Sequence, residues 1–171
     1  MGTRSRIAVM HGSVAKSVYC HWDGYLEHNG AILQEHYNSA KANQLVALGD
    51  LSSLGTQIGE QHPFSPYFDE GSKAAIAAYD AAKDSGYCTF YGRDRGEENV
   101  GWKVAHTFAE FFEQVENGGG EWYYVMRDGA WYCGNTYSSD ARFYKKLVLL
   151  AEALADEAVE TESKTWETVD L

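Results

Sequence analysis

Proline is nearly missing, with 2 in 171 residues, so the turns fall mainly to the 17 glycines. Cysteine is sparse as well. Cys20, Cys88 and Cys133 are odd in number, far apart and free of any CxxC pair, which points away from a disulfide framework and toward buried thiols in a reducing compartment. No apolar run reaches the roughly 18 residues a membrane helix needs, and no apolar core of a signal peptide follows Met1–Arg6. The expectation is a soluble intracellular protein with no membrane contact. Basic residues are few, 14 against 25 acidic ones. That balance excludes direct binding to a nucleic-acid backbone, where Lys and Arg supply the affinity by neutralising phosphate. The familiar catalytic frames are lacking too. There is no HExxH, no HxH or HD pair and no GxSxG, and Gly49-Asp50-Leu51-Ser52-Ser53-Leu54-Gly55 has glycines without a Walker lysine. No metal and no cofactor is expected.

A hydrophobic content of 44% is enough for one domain with a proper core, and aromatics at 14%, including 12 Tyr and 5 Trp, leave rings over for a surface or a pocket. The formal charge of −11 is unevenly spread. Up to Arg93 there are 7 basic and 9 acidic residues; from Asp94 onward there are 7 and 16. The acidic half serves solubility or docks on a basic partner surface.

Along the chain, Arg6–His11 and Ala15–His21 read as a hairpin across Gly12-Ser13. From Asn29, an acceptable N-cap, the period becomes helical through Ile32, Leu33, His36 and Tyr37. A second short helix spans Ser39–Leu48, with Gly49 as its stop, and Asp50–Gly55 reads as a cap-rich turn. An ordered aromatic loop runs to Glu70, and an alanine-rich helix, Ser72–Asp84, stops at Gly86. Tyr87–Tyr91 reads as a short strand and Thr107–Glu116 as a helix with Phe108, Phe111 and Phe112 inward. Trp122–Met126 and Ala130–Cys133 form a hairpin on Asp128-Gly129. A last long helix is expected from Ala141 to about Val159, with Phe143, Leu147, Leu150 and Leu154 on one stripe. The sum is an α+β fold, a single domain over 1–159 with a mainly antiparallel sheet of about five strands and about five helices, followed by an acidic tail, 160–171. No βαβ alternation is evident.

Two polar, ring-rich segments carry the chemistry. In Val18–Gly30, His21, Asp23, Tyr25, His28 and Asn29 crowd the junction of a strand and a helix, with His36 further along that helix. His28 and His36 share a face only if the helix starts before His28, which Gly30 opposes. Such a His/Asp cluster serves acid–base work, or simply sits hydrogen-bonded in a polar pocket. The second segment, Tyr91-Gly92-Arg93-Asp94-Arg95-Gly96-Glu97, offers two guanidinium forks suited to phosphate or carboxylate. Asp94 and Glu97 are placed equally well to neutralise those forks and lock the loop. Ser52, Ser53, Cys20 and Cys88 are the candidate nucleophiles, none in a recognisable frame. Asp50 and Ser52 are better read as caps of backbone amides. On the C-terminal helix and tail, Glu152, Asp156, Glu157 and Glu160 form a solvated face, or a surface for a partner.

The opening Met1-Gly2-Thr3-Arg4-Ser5, the block Val18–Gly30, Leu48-Gly49-Asp50-Leu51-Ser52-Ser53-Leu54 and Cys88–Glu97 together resemble a family of small proteins encoded by tailed bacteriophages. The resemblance covers residues 1 to about 135 and leaves out the acidic end. It implies a setting, a phage gene expressed in the host bacterial cytoplasm, and no reaction. Three functions follow as expectations. The first is an accessory protein that acts by non-enzymatic binding and inhibits a host defence protein, such as one with a basic nucleic-acid-binding surface, through the acidic half. The second is a binder of a small nucleotide-like ligand, held between the Val18–Gly30 and Tyr91–Glu97 segments. The third is a His/Asp hydrolase of phosphate esters.

Overall fold

The computed structural model describes residues 2–64, 72–159 and 168–169. Its centre is two adjacent parallel strands, β1 (Ser5–His11) and β6 (Trp122–Arg127), paired from Ser5 opposite Trp122 to Val9 opposite Met126. Both faces of these strands are covered, which is why they read as near-continuous apolar runs rather than as alternating ones. Ile7, Val9, Tyr124 and Met126 face one core, and Ala8, Tyr123 and Val125 the other. The first core is closed by α1 (Ala31–His36), α2 (Ser39–Ala47) and α5 (Leu150–Val159) through Leu33, Leu45, Val46 and Leu150. The second is closed by α4 (Phe108–Asn117) through Phe111, Phe112 and Val115.

The fold is α+β on a single mixed sheet. The strand β2 (Val14–Trp22) pairs with β1 as the expected hairpin. Its other edge has two partners. β5 (Lys103–Ala105) lies antiparallel to its first half, and β3 (Leu51–Ser53) lies parallel to its second. β4 (Thr89–Phe90) then pairs with β3. On the far side β6 is followed by β7 (Ala130–Asn135) and β8 (Val148–Leu149). The sheet thus has eight strands rather than about five, and two of its pairings are parallel. The extra strands are two or three residues long, too short to leave a period in the sequence. The chain from β2 through α1 and α2 to β3 is a parallel crossover, although no βαβ pattern was legible.

Three local expectations are corrected. Asp50–Gly55 is not a turn but holds β3, and Asp50 Oδ1 accepts the amide of Tyr19 on the neighbouring strand at 2.9 Å. The long helix from Ala141 is cut to α5. Residues 141–147 run as turns, and Phe143 and Leu147 enter the two cores from them. Asn29 is not an N-cap, because the chain already winds as a single π turn over Leu26–Gly30 and passes straight into α1. Gly30 takes helical angles there (φ −59°, ψ −49°) and does not delay the helix. The expected stops hold where backbone geometry demands them: Gly49 and Gly86 have φ of +89° and +77° after α2 and after α3 (Lys73–Asp84). Most of the acidic tail, Glu160 included, lies outside the described residues. Thr168 bridges to Val148, and the Val169 amide donates to Leu147 O at 3.1 Å.

Candidate functional site

The end of β2, the strands β3 and β4 and the helix α3 enclose a cavity of about 480 Å³. β2 contributes His21 and Trp22, β3 contributes Ser52 and Ser53, and β4 contributes Thr89. Tyr79 and Lys83 reach in from α3, four residues apart and so on one helical face. Phe64, Tyr91 and Arg95 also line the wall. The β3–β4 register slips between Leu51 and Ser53, a bulge that lets two successive serines line one cavity. The same ladder sets Ser53 beside Trp22 on one side and Thr89 on the other.

The charges here oppose the rest of the chain. Lys83 and Arg95 are the cations, and no carboxylate lines the cavity among the described residues. Lys83 Nζ donates to Ser53 Oγ at 2.8 Å and sits 5.8 Å from the Tyr79 ring. Burial around this ammonium holds its pKa below the ordinary lysine value. Arg95 lies 5.0 Å over the Phe64 ring and 3.7 Å from Glu97, and Phe64 in turn packs 5.6 Å from Tyr91. Burial pushes the Tyr91 phenol up, against its hydrogen bond with Ser52. His21 shares a 2.7 Å hydrogen bond between Nδ1 and the Tyr19 hydroxyl. Its pKa is lowered, first by burial and then by Arg4, with Asp23 opposing. Thr89 is 2% exposed, and its Oγ1 has no hydrogen-bond partner among the described residues.

The two sequence segments therefore do meet, but with only part of their polar groups. His21, Tyr91 and Arg95 face the cavity. Arg93 points into the protein, where it donates to Ile58 O, Gly59 O and Cys88 O and to both oxygens of Asp94. Asp94 also receives the amides of His62 at 3.1 Å and Phe90 at 2.7 Å. This pair pins the loop to the sheet. Asp23 accepts the Thr3 amide, and no hydrogen bond joins it to His21 among the described residues. His28 Nδ1 meets Asn29 Oδ1 at 2.9 Å, and buried Asn29 donates to Ser5 Oγ and Cys20 Sγ. Tyr25 is 40% exposed and stacks loosely on His28. Much of the density in Val18–Gly30 is thus scaffold. Gly24 shows the same demand, since a Cβ there would come within 2.5 Å of Ser5 Cβ.

His36 belongs to a different cavity, about 530 Å³, beside Trp131 and the β6–β7 turn. Neutral side chains and the Glu35–His36 pair dominate its wall, so it offers less chemistry than the smaller one. Cys20 and Cys88 are buried, and burial pushes the Cys20 thiol up to about 12 and raises that of Cys88, which disfavours the thiolate in both. On α5, Asp156 is buried and Glu157 lies 3.5 Å from Arg142, which leaves Glu152 as the partly exposed acid. Among the described residues no three His, Cys, Asp or Glu side chains converge as metal ligands, and no helix is long and apolar enough to cross a membrane.

Sequence reasoning missed Phe64, Tyr79, Lys83 and Thr89. A usable signal existed only on α3, where Tyr79 and Lys83 interrupt an alanine-rich helix at a spacing of four. No protein-family model, no curated protein and no solved structure matches the chain.

Proposed function

We propose that the protein works by binding rather than by catalysis, and that it holds a small anionic, ring-bearing molecule of the nucleotide type in the cavity between α3 and the β2–β3–β4 edge. One observation carries this reading. A chain of charge −11 keeps a cavity lined by two cations, three aliphatic hydroxyls and four aromatic rings, with no carboxylate lining it among the described residues. Aromatic walls with a few convergent polar groups are the usual make-up of a small-ligand site, and a volume of about 480 Å³ falls inside the usual range of roughly 300–1,000 Å³. Rings stack on Phe64, Tyr91 and Trp22, and an acidic group of the ligand meets Lys83 and Arg95.

The setting belongs to the same proposal: a bacteriophage accessory protein in its host's cytoplasm that sequesters a nucleotide-like signal. Docking of the acidic half on a host protein has less support, because the described acids of α5 are partly buried or paired. The hydrolase reading has less as well, since His21 is held by Tyr19 and not by Asp23. Thermal-shift measurements across linear and cyclic nucleotides, followed by calorimetry, test the proposal. Saturable stabilisation that Arg95→Ala or Phe64→Leu weakens is expected. If no nucleotide stabilises the wild-type chain, the proposal fails.

A further inference from the structure

We infer that the Lys83–Ser53–Thr89 corner of the cavity is a phosphate-monoester site, so that the ligand is a nucleoside monophosphate or an aromatic phosphate of similar size. This rests on the cavity being a ligand site and adds where the anion sits. Three hydrogen-bonding side chains from three different elements line that corner. Lys83 Nζ is 2.8 Å from Ser53 Oγ, and Ser53 is the ladder partner of Thr89. Directly opposed residues on neighbouring antiparallel strands sit about 5 Å apart, which sets the Ser53 and Thr89 backbones side by side on the cavity wall.

Thr89 is the observation that points outward. Buried hydroxyls nearly always find a partner, and one that does not marks a place where another acceptor belongs. Among the described residues two other buried polar atoms are unpaired, Gln114 Oε1 and Arg127 Nη1, and neither residue lines this cavity. Thr89 alone of the three sits on the wall of a cavity that also holds an ammonium.

The donor set selects the anion. A planar carboxylate is best matched by a guanidinium fork, whereas an ammonium acts as a point charge beside hydroxyls approaching from other directions. That arrangement suits a tetrahedral group with three free oxygens. A phosphate monoester carries about −1.5 to −2 at neutral pH. Lys83 and Arg95 together match that charge, with Glu97 offsetting part of Arg95 from 3.7 Å. A triphosphate carries more negative charge than Lys83 and Arg95 together offset. The ring lies at the other end, where Phe64, Tyr91 and the Arg95 guanidinium form a stack.

Calorimetry with four probes tests this: a nucleoside monophosphate, its parent nucleoside, inorganic phosphate, and the magnesium triphosphate. The monophosphate is expected to bind about tenfold or more tightly than the nucleoside, in line with loss of one charge-assisted hydrogen bond. Thr89→Val should weaken the monophosphate about tenfold, leave the nucleoside unchanged, and raise the unfolding temperature of the free protein, because it removes an unpaired buried hydroxyl. Should Thr89→Val fail to fold, Lys83→Met on the solvent-accessible helix α3 carries the same comparison. Equal binding of monophosphate and nucleoside, or a monophosphate affinity unmoved by both variants, overturns the phosphate corner while the cavity reading stands. Tighter binding of the magnesium triphosphate also overturns it. Binding of none of the ring-bearing probes overturns both.

Discussion

Arg93 and Arg95 are two residues apart and do opposite work. The Arg93 side chain is 14% exposed and the Asp94 side chain 0%, with the two joined at 3.0 Å. Asp94 accepts from two backbone amides besides, one on each carboxylate oxygen. In Asp94→Asn the new Nδ2 would face one of those amides, and the Arg93 charge would be left without its counter-ion. Breaking a buried pair in this way costs about 3 kcal/mol or more. A clearly lower urea midpoint is expected. Arg95→Ala, on an exposed side chain, should leave that midpoint within about 0.5 kcal/mol of wild type and affect only ligand affinity. If the two variants lose equal stability, this division of labour is wrong. His21 supplies a pH dependence. Its folded pKa lies below the ordinary 6.5, so between the two values the unfolded chain holds more protons than the native one. Stability should therefore fall as pH drops through 6.5 toward the folded value, and this contribution is absent above that window. In His21→Gln the slope of stability against pH between about 7 and 5 should be shallower than in wild type. An unchanged slope would remove His21 from the account.

At the scale of elements, the weak member is α3. Ala82 is its buried residue, whereas α4, of similar length, buries Phe111, Phe112 and Val115. Yet α3 supplies Tyr79 and Lys83 to the cavity. Elements with little buried apolar surface open at low free energy, and ligand contacts oppose that opening. Hydrogen exchange should find the α3 amides much less protected than those of β1 and β6, and a bound nucleoside monophosphate should slow them selectively. Protection of α3 equal to that of the central strands would contradict this. The same contrast explains what the sequence revealed. Strong periods were legible: the β1–β2 hairpin, α2, α4, and the β6–β7 hairpin on Asp128 and Gly129, both at positive φ. The stripe Phe143, Leu147, Leu150, Leu154 imitated one helix because its spacing is helical, although its first half packs from turns between two layers. β4 falls inside the strand expected over Tyr87–Tyr91, whereas β3 and β5 are brief and carry Ser or Lys, so only pairing with β2 makes them strands. The cavity forms where those brief strands meet α3. Its His21, Tyr91 and Arg95 were visible as chemistry, while Thr89 and Lys83 acquire meaning only from the β3–β4 ladder and the docking of a helix thirty positions away.

For the whole molecule the question is how an anion approaches a chain of charge −11. At a distance it meets net repulsion. Within the cavity it meets Lys83 and Arg95, partly sheltered from solvent by rings. Salt treats the two fields differently. The Debye length shrinks from about 30 Å at 0.01 M to about 8 Å at 0.15 M, so the distant repulsion is largely screened while contacts of hydrogen-bond length are screened far less. The association rate of a nucleoside monophosphate should therefore rise with ionic strength over that range, and the dissociation rate should change little. A basic patch that captures anions behaves the other way, as does an acidic face that docks on a basic protein: both lose affinity steadily as salt is added. Stopped-flow measurement of tryptophan fluorescence, with Trp22 on the cavity wall as a natural reporter, reads the rate directly. Association that slows as salt rises would mean that long-range attraction governs binding, and the ligand would then have to be sought on a surface rather than between α3 and the sheet.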